Sequence, residues 1–349
     1  MIPRVLAFFA TMHAMNSTSH RQHAVIIGAG MMGRWHADAL RRSGRAIAAV
    51  IDADIDAARA LARRLGAAAY AALEEMPPGV GSAAHLCTPP HTHANLIRAA
   101  LQRGWHVISE KPLGMTLDET RALYTMAEER GLRLMPVYQM PFQRGAQRAF
   151  AGIARAGAIM RVDMRFFSAG ADPGGDAESI ARDIMAHPLS VLSKIGARPP
   201  NLCLYPQKSD HRDAARAGEI ALHTVHDGMM IVIHVSMNAR PTRADVEIAG
   251  TRGTWWIDLY HGYSVFFPGG VSRLAKATAP FTRSARIMGS AAANLIHRGL
   301  AGETAFPGLR ALIDGFYRAL QPGGVLPIPR AQGEWIAAQR DSILNRDER

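Results

Sequence analysis

Cysteine is nearly absent, with two residues in 349, Cys87 and Cys203. They form neither a disulfide framework nor a metal-binding spacing, and Cys87, behind the apolar run "AAHL", reads as a packed thiol. Lysine is almost as scarce: of 40 basic residues only Lys111, Lys194, Lys208 and Lys276 are lysines. No apolar segment approaches the ~20 residues that span a bilayer, so no membrane partner is expected. Basic runs interleaved with aromatics are missing too. The net charge of +11 therefore reads as an arginine-rich, alanine-rich solvated surface rather than a nucleic-acid footprint. It still favours an anionic cofactor or substrate. His85, His91 and His93 have no acidic neighbour and no closed zinc spacing, so no metal is expected. The opening "MIPRVLAFFATMHAM" leaves little room for a small-residue cleavage site before a strand near His23. Residues 1–22 are expected to be a flexible extension of a cytoplasmic protein.

What is present is organisation. With 48% hydrophobic and 20% charged residues, the chain has enough length and apolar content for two domains. From "HAVIIG" (23–28) to "LRLMPVY" (132–138), short apolar runs alternate with segments of helical spacing. Repeated βα units predict a parallel sheet covered on both faces, an α/β Rossmann domain over residues 23–141. From "IMRVDMRFF" to "YSVFFPGG", period-2 runs separated by turn residues predict antiparallel hairpins. Three helical segments follow, near 280–298, 305–320 and 330–345. Residues 142–349 are thus expected to form an α+β domain.

"GAGMMG" places Gly28, Gly30 and Gly33 in G-x-G-x-x-G spacing, with Met31 and Met32 between them. The motif follows a predicted strand and opens a predicted helix, and Asp52 ends the next strand 19 residues on. That context is what a dinucleotide fingerprint requires. Gly28 permits the tight turn, Gly30 lets a pyrophosphate approach backbone N–H groups, and Gly33 allows close helix–sheet packing. A carboxylate at Asp52 can accept from both ribose hydroxyls and would repel a 2′-phosphate, which predicts NAD rather than NADP. The neighbouring acids Asp54 and Asp56 instead suit a helix cap.

Together with the fingerprint, "CTPPHTHANLIRAALQRGWHVISEKPLG" resembles the Gfo/Idh/MocA oxidoreductases, the glucose–fructose oxidoreductase and inositol dehydrogenase family. Thr88, Pro89, His93, Gly104, His106, Val107, Glu110, Lys111 and Pro112 match in order. The resemblance implies that Thr88, Pro89, His93, Glu110, Lys111 and Pro112 line the nicotinamide side of a cleft. It also implies an open, mostly antiparallel second sheet whose outer face serves a homodimer or homotetramer.

Oxidising a carbinol needs a hydride acceptor on one side and a base on the other. Lys111 sits at the C-terminal end of a predicted parallel strand, where open α/β sheets bind their ligands. "ESIARDIMAHPLSVLSKIG" (178–196) reads as a helix interrupted near Pro188, with Asp183 and His187 at i, i+4. This resembles the family's Asp-x-x-x-His motif, in which histidine shares acid–base work with lysine and aspartate orients them. Ser190 stands where the family often has a further aspartate. Tyr138 and Gln139 are placed to touch substrate. The expected activity is hydride transfer between nicotinamide and a sugar, cyclitol or related polyhydroxylated compound. A lyase or epimerase using transient oxidation, and a non-catalytic nicotinamide-binding regulator, are the alternatives.

Overall fold

The computed structural model describes residues 23–168, 183–198, 202–204, 218–270, 272–303 and 305–344. The N-terminal extension expected over 1–22 lies outside them, as does the start of the 178–196 segment. Six parallel strands form the first sheet: β1 (Ala24–Ile27), β2 (Ile47–Ile51), β3 (Ala68–Tyr70), β4 (Ala83–Leu86), β5 (His106–Ser109) and β6 (Leu134–Pro136). Their order is β3-β2-β1-β4-β5-β6. All four residues of β1 and of β4 are buried, because helices cover both faces and leave no solvent side. Those helices are α1 (Met31–Arg42), α2 (Ile55–Leu65), α3 (His93–Gln102) and α4 (Leu117–Glu129). Asp54 caps α2 by accepting from the N–H groups of Asp56 and Ala57, and Thr116 caps α4. The order in which strands are added to the sheet reverses between β1 and β4, the crevice where such sheets take their ligands.

After α5 (Arg144–Ala151) the second sheet begins with β7 (Ile159–Phe167). The helix α6 (Ala186–Lys194) follows, then β8 (Cys203–Leu204), β9 (Glu219–His226), β10 (Met229–Ser236), β11 (Arg243–Gly250), β12 (Gly253–Asp258) and β13 (Tyr263–Pro268). The order is β13-β12-β11-β7-β10-β9-β8, antiparallel except for the β7–β10 pair. Buried and half-buried residues alternate along β12, as expected of a sheet with one face on the core. Trp255 points inward and donates to the Gly152 carbonyl (3.0 Å), while Trp256 lies half-buried on the other face. That outer face carries ion pairs of Arg161 with Asp163, and of Arg165 and Arg243 with Asp245.

Three helices complete the described chain: α7 (Arg273–Ala301), α8 (Leu309–Ala319) and α9 (Arg330–Leu344). α8 and α9 return to the first domain. Leu312, Ile313 and Phe316 of α8 share one buried cluster with Ile26 and Leu40 of the first domain and Met164 of the second.

The sequence reading of a helix broken at Pro188 needs correcting. Pro188 lies in the first turn of α6, where its missing N–H has no intrahelical partner to lose. A turn at Met185 separates Asp183 from that helix.

Candidate active site

The C-terminal ends of the parallel strands bring the candidate residues into one row. Backbone bonds run Gly28 N to Ile51 O (2.8 Å), Cys87 N to Ile27 O (2.7 Å) and Glu110 N to Leu86 O (2.8 Å). Gly28, Cys87 and Glu110 therefore stand level, just past β1, β4 and β5.

The three glycines of the fingerprint do different things. Gly28 has φ +104°, and a Cβ there would lie 2.6 Å from the Cys87 carbonyl oxygen. A Cβ on Gly33 would meet the Gly28 carbonyl oxygen at 1.8 Å. Around a Cβ on Gly30 there is nothing within 4 Å. Gly30 thus faces open space at the start of α1, which has no side-chain cap and no acid in its first turn. An uncapped helix start beside an open glycine suits a pyrophosphate. Met31 is exposed and Met32 half-buried in the same turn. Asp52 accepts from Ala29 N (2.6 Å) and Asp54 N (2.9 Å), which fixes its carboxylate at the end of β2. These residues fit a dinucleotide.

Thr88 and Pro89 turn the chain after β4, and Thr92 donates to the Thr88 hydroxyl (2.7 Å). His93 is fully buried, its Nδ1 2.6 Å from the Pro112 carbonyl and its Nε2 2.8 Å from the Thr88 carbonyl. It ties the Thr-Pro turn to the Glu-Lys-Pro loop and presents no free nitrogen to the crevice. Cys87 is a packed thiol whose pKa burial pushes up, with the Glu110 charge adding to the shift.

Lys111 reaches across to the second domain. Its Nζ donates to Asp183 Oδ2 at 2.5 Å, with the lysine side chain largely shielded and the aspartate half exposed. His187, in the first turn of α6, has a buried Nδ1 with no hydrogen-bond partner among the described residues. Burial and then the Lys111 charge push its pKa down to about 3, against a smaller opposing pull from Asp183. The ring is therefore neutral at ordinary pH and close enough to Lys111 and Asp183 to feel both charges. Ser190 is fully buried and donates back to the His187 carbonyl (2.7 Å), so it brings no substitute polar group to the site. Tyr138 is buried behind it, its pKa raised by burial.

Sequence reasoning did not find a chain of buried polar side chains behind Glu110. Tyr317 Oη of α8 lies 3.0 Å from His85 Nε2, His85 Nδ1 lies 2.9 Å from His36 Nδ1, and His36 Nε2 lies 3.3 Å from Glu110 Oε1. Both histidines are fully buried. Burial, then His36, then Arg45 hold His85 well below the usual imidazole range, so it is neutral. A Glu110 carboxylate can only accept, so His36 Nε2 donates to it. The contact between the two Nδ1 atoms takes one proton, and the ring that carries it sets the direction of donation between His36, His85 and Tyr317. The sequence signal was a polar residue on the buried face of α1 and another inside the apolar run "AAHL".

Residues 22–138 match the model of an oxidoreductase family with an NAD-binding Rossmann fold, Gfo/Idh/MocA. D-xylose 1-dehydrogenase (NADP(+)) 2 of Haloferax volcanii is 34% identical over 131 residues, 37% of this chain and 40% of that protein. The match thus spans less than half of that relative's length. D-apiose dehydrogenase of Paraburkholderia graminis is 27% identical over 263 residues, 69% of this chain and 68% of that protein. The WlbA dehydrogenase of Bordetella pertussis, solved with NADH and UDP-GlcNAcA, shares the fold with a TM-score of 0.74. Its identity is 19% over 95% of this chain and 97% of that one. The fingerprint, the Thr-Pro turn and the Glu-Lys-Pro loop, together on one sheet edge, lie within the stretch that matches the Gfo/Idh/MocA oxidoreductase family.

Proposed function

We propose that the chain is a nicotinamide-dependent oxidoreductase acting on a CH–OH group of a sugar, cyclitol or related polyhydroxylated compound. The observation that carries this reading is Lys111 just past β5, paired with Asp183 from the second domain beside neutral His187. When bound, the nicotinamide accepts or returns the hydride. Gly30 and the start of α1 hold the pyrophosphate, and Asp52 holds the adenosine ribose. Thr88, Pro89, Glu110 and Pro112 border the nicotinamide, and His93 fixes the two loops that carry them. Lys111 donates a hydrogen bond to the substrate oxygen. Neutral His187 accepts the hydroxyl proton in oxidation and returns it in reduction, and Asp183 orients Lys111. The xylose and apiose dehydrogenases among its relatives support a polyhydroxylated substrate.

NAD is the proposed cofactor, because the Asp52 carboxylate would repel a 2′-phosphate. The outer face of the second sheet is proposed to join copies into a homodimer or homotetramer in the cytoplasm. The test is a panel of sugars, polyols and nucleotide sugars assayed for NADH formation or consumption, with NADPH in parallel. Binding of NADH without redox, elimination or epimerisation across the panel would favour the non-catalytic alternative. Tighter binding of NADPH than of NADH would remove the role given to Asp52.

A further inference from the structure

Helix α7 is 29 residues long, about 43 Å at the usual rise, and only Asn294 in it is buried. It lies along β13, an edge strand of the second sheet. The hydrogen bonds it makes there recur every fourth residue. Arg286 donates to the Phe266 carbonyl (3.1 Å), Ser290 to Ser264 (2.9 Å), and Asn294 and Arg298 to His261 (2.9 Å each). The helix thus satisfies edge carbonyls with its polar face. Its apolar face is turned outward, the reverse of an ordinary surface helix.

That outward face has a seven-residue repeat. Leu274, Phe281, Met288 and Leu295 are each more than two-thirds exposed. A second exposed series, Thr278, Ala285, Ala292 and Gly299, falls three residues before or four after them. In heptad terms every a position is small and every d position is large. The flanking positions Ala275, Thr282, Gly289 and Ile296, and Ala277, Ser284 and Ala291, carry no charge. Arg298, which completes the second flank, is engaged by carbonyls of its own chain.

We infer that α7 pairs with α7 of a second copy of this chain, antiparallel, about a two-fold axis level with residues 286–287. In a parallel pair large residues would meet large and small would meet small, alternating clashes with voids. In an antiparallel pair each d residue packs beside an a residue of the other helix, and one register serves all eight positions. Leu274 meets Gly299 of the second copy, Thr278 meets Leu295, Phe281 meets Ala292 and Ala285 meets Met288, and each contact is repeated by symmetry. The small side chains let the helix axes approach closely, and the contact is self-complementary, as an isologous interface requires. A helix lying on a membrane would instead border its apolar face with lysine and arginine, where this one has alanine, serine, threonine and glycine.

The experiment uses the full chain in sedimentation equilibrium, with circular dichroism to verify folding. The double variant Ala285→Leu/Ala292→Leu makes the face more apolar but fills the positions that must stay small. Its assembly mass should fall to half that of the unmodified chain, whether the latter is a dimer or, through the sheet as well, a tetramer. Oxidising a mixture of Phe281→Cys chains and Ala292→Cys chains should give a cross-linked pair. Either chain alone, or the unmodified chain with Cys87 and Cys203, should give none. A monomeric unmodified protein, an unchanged mass in the double variant, or cross-links only between like chains would each overturn the inference.

Discussion

His187 holds two opposing influences, Lys111 lowering its proton affinity and Asp183 raising it, with burial the largest cause of its low pKa. Removing the lysine charge in Lys111→Met should move the His187 pKa upward from about 3, while burial still holds it below the ordinary ~6.5. An NMR titration of the imidazole nitrogens reads this directly, and an unmoved or lower value would contradict the placement of the two groups. A histidine with a depressed folded pKa stabilises the fold above its unfolded value and loses that contribution as pH falls from about 6.5 towards 3. His187→Gln should accordingly flatten the decline of melting temperature across that window. In turnover, Lys111→Ala and His187→Ala should each lose roughly 10²–10⁴-fold while NADH binding persists. The buried chain behind Glu110 makes a separate demand. Nitrogen-resolved spectra should find His36 Nε2 protonated towards Glu110 and a single proton between the two Nδ1 atoms. Tyr317→Phe removes only the hydroxyl beside His85 Nε2 and should release the His85 tautomer. A His36 Nε2 without a proton in the unmodified protein would refute its bond to Glu110.

The turn from β1 into α1 separates two kinds of glycine. A methyl group on Gly33 would meet a carbonyl oxygen at 1.8 Å, whereas one on Gly30 meets nothing. Gly33→Ala should therefore lower the melting temperature. Gly30→Val should leave it unchanged and weaken NADH binding at least about tenfold, by occupying the pyrophosphate's place. Equal NADH affinity in folded Gly30→Val would move the phosphate site elsewhere. This element was legible in sequence because strand, glycines, helix and Asp52 are local in the chain. The same holds for β9 to β13, whose alternation shows in their residues. β3, three residues of "AAY", offered no run long enough to read. The 178–196 segment misleads because a proline within it reads as a break, whereas Pro188 sits in a first turn, where a helix tolerates proline. The Tyr317–His85–His36–Glu110 chain was beyond reach, since its links join residues 232, 49 and 74 positions apart. No local period reports such a contact.

At the scale of the molecule, the candidate site exists only where two domains meet, and α9 holds them. Gln332 on α9 donates to Ser193 of α6 (2.6 Å), the helix that carries His187. Further along the same helix, Arg340 donates to the carbonyls of Gly114 (3.0 Å) and Met115 (2.5 Å), in the loop that follows Lys111. Asp341 accepts from Leu117 N (2.6 Å), one of the open donors at the start of α4. One helix therefore grips both the segment behind Lys111 and the segment behind His187. Arg340 is buried, so Arg340→Met would leave two carbonyls without their charged donor, at a cost of roughly 1.5–3 kcal/mol per bond before relaxation. The melting temperature should drop by several degrees. Because the pyrophosphate and ribose contacts proposed above lie at β1 and β2, far from this grip, NADH affinity should change little while kcat falls. The Lys111–His187 geometry would loosen without losing either group. A variant that lost cofactor affinity and turnover in equal measure would show that α9 supports the nucleotide domain as a whole rather than the meeting of its two catalytic edges.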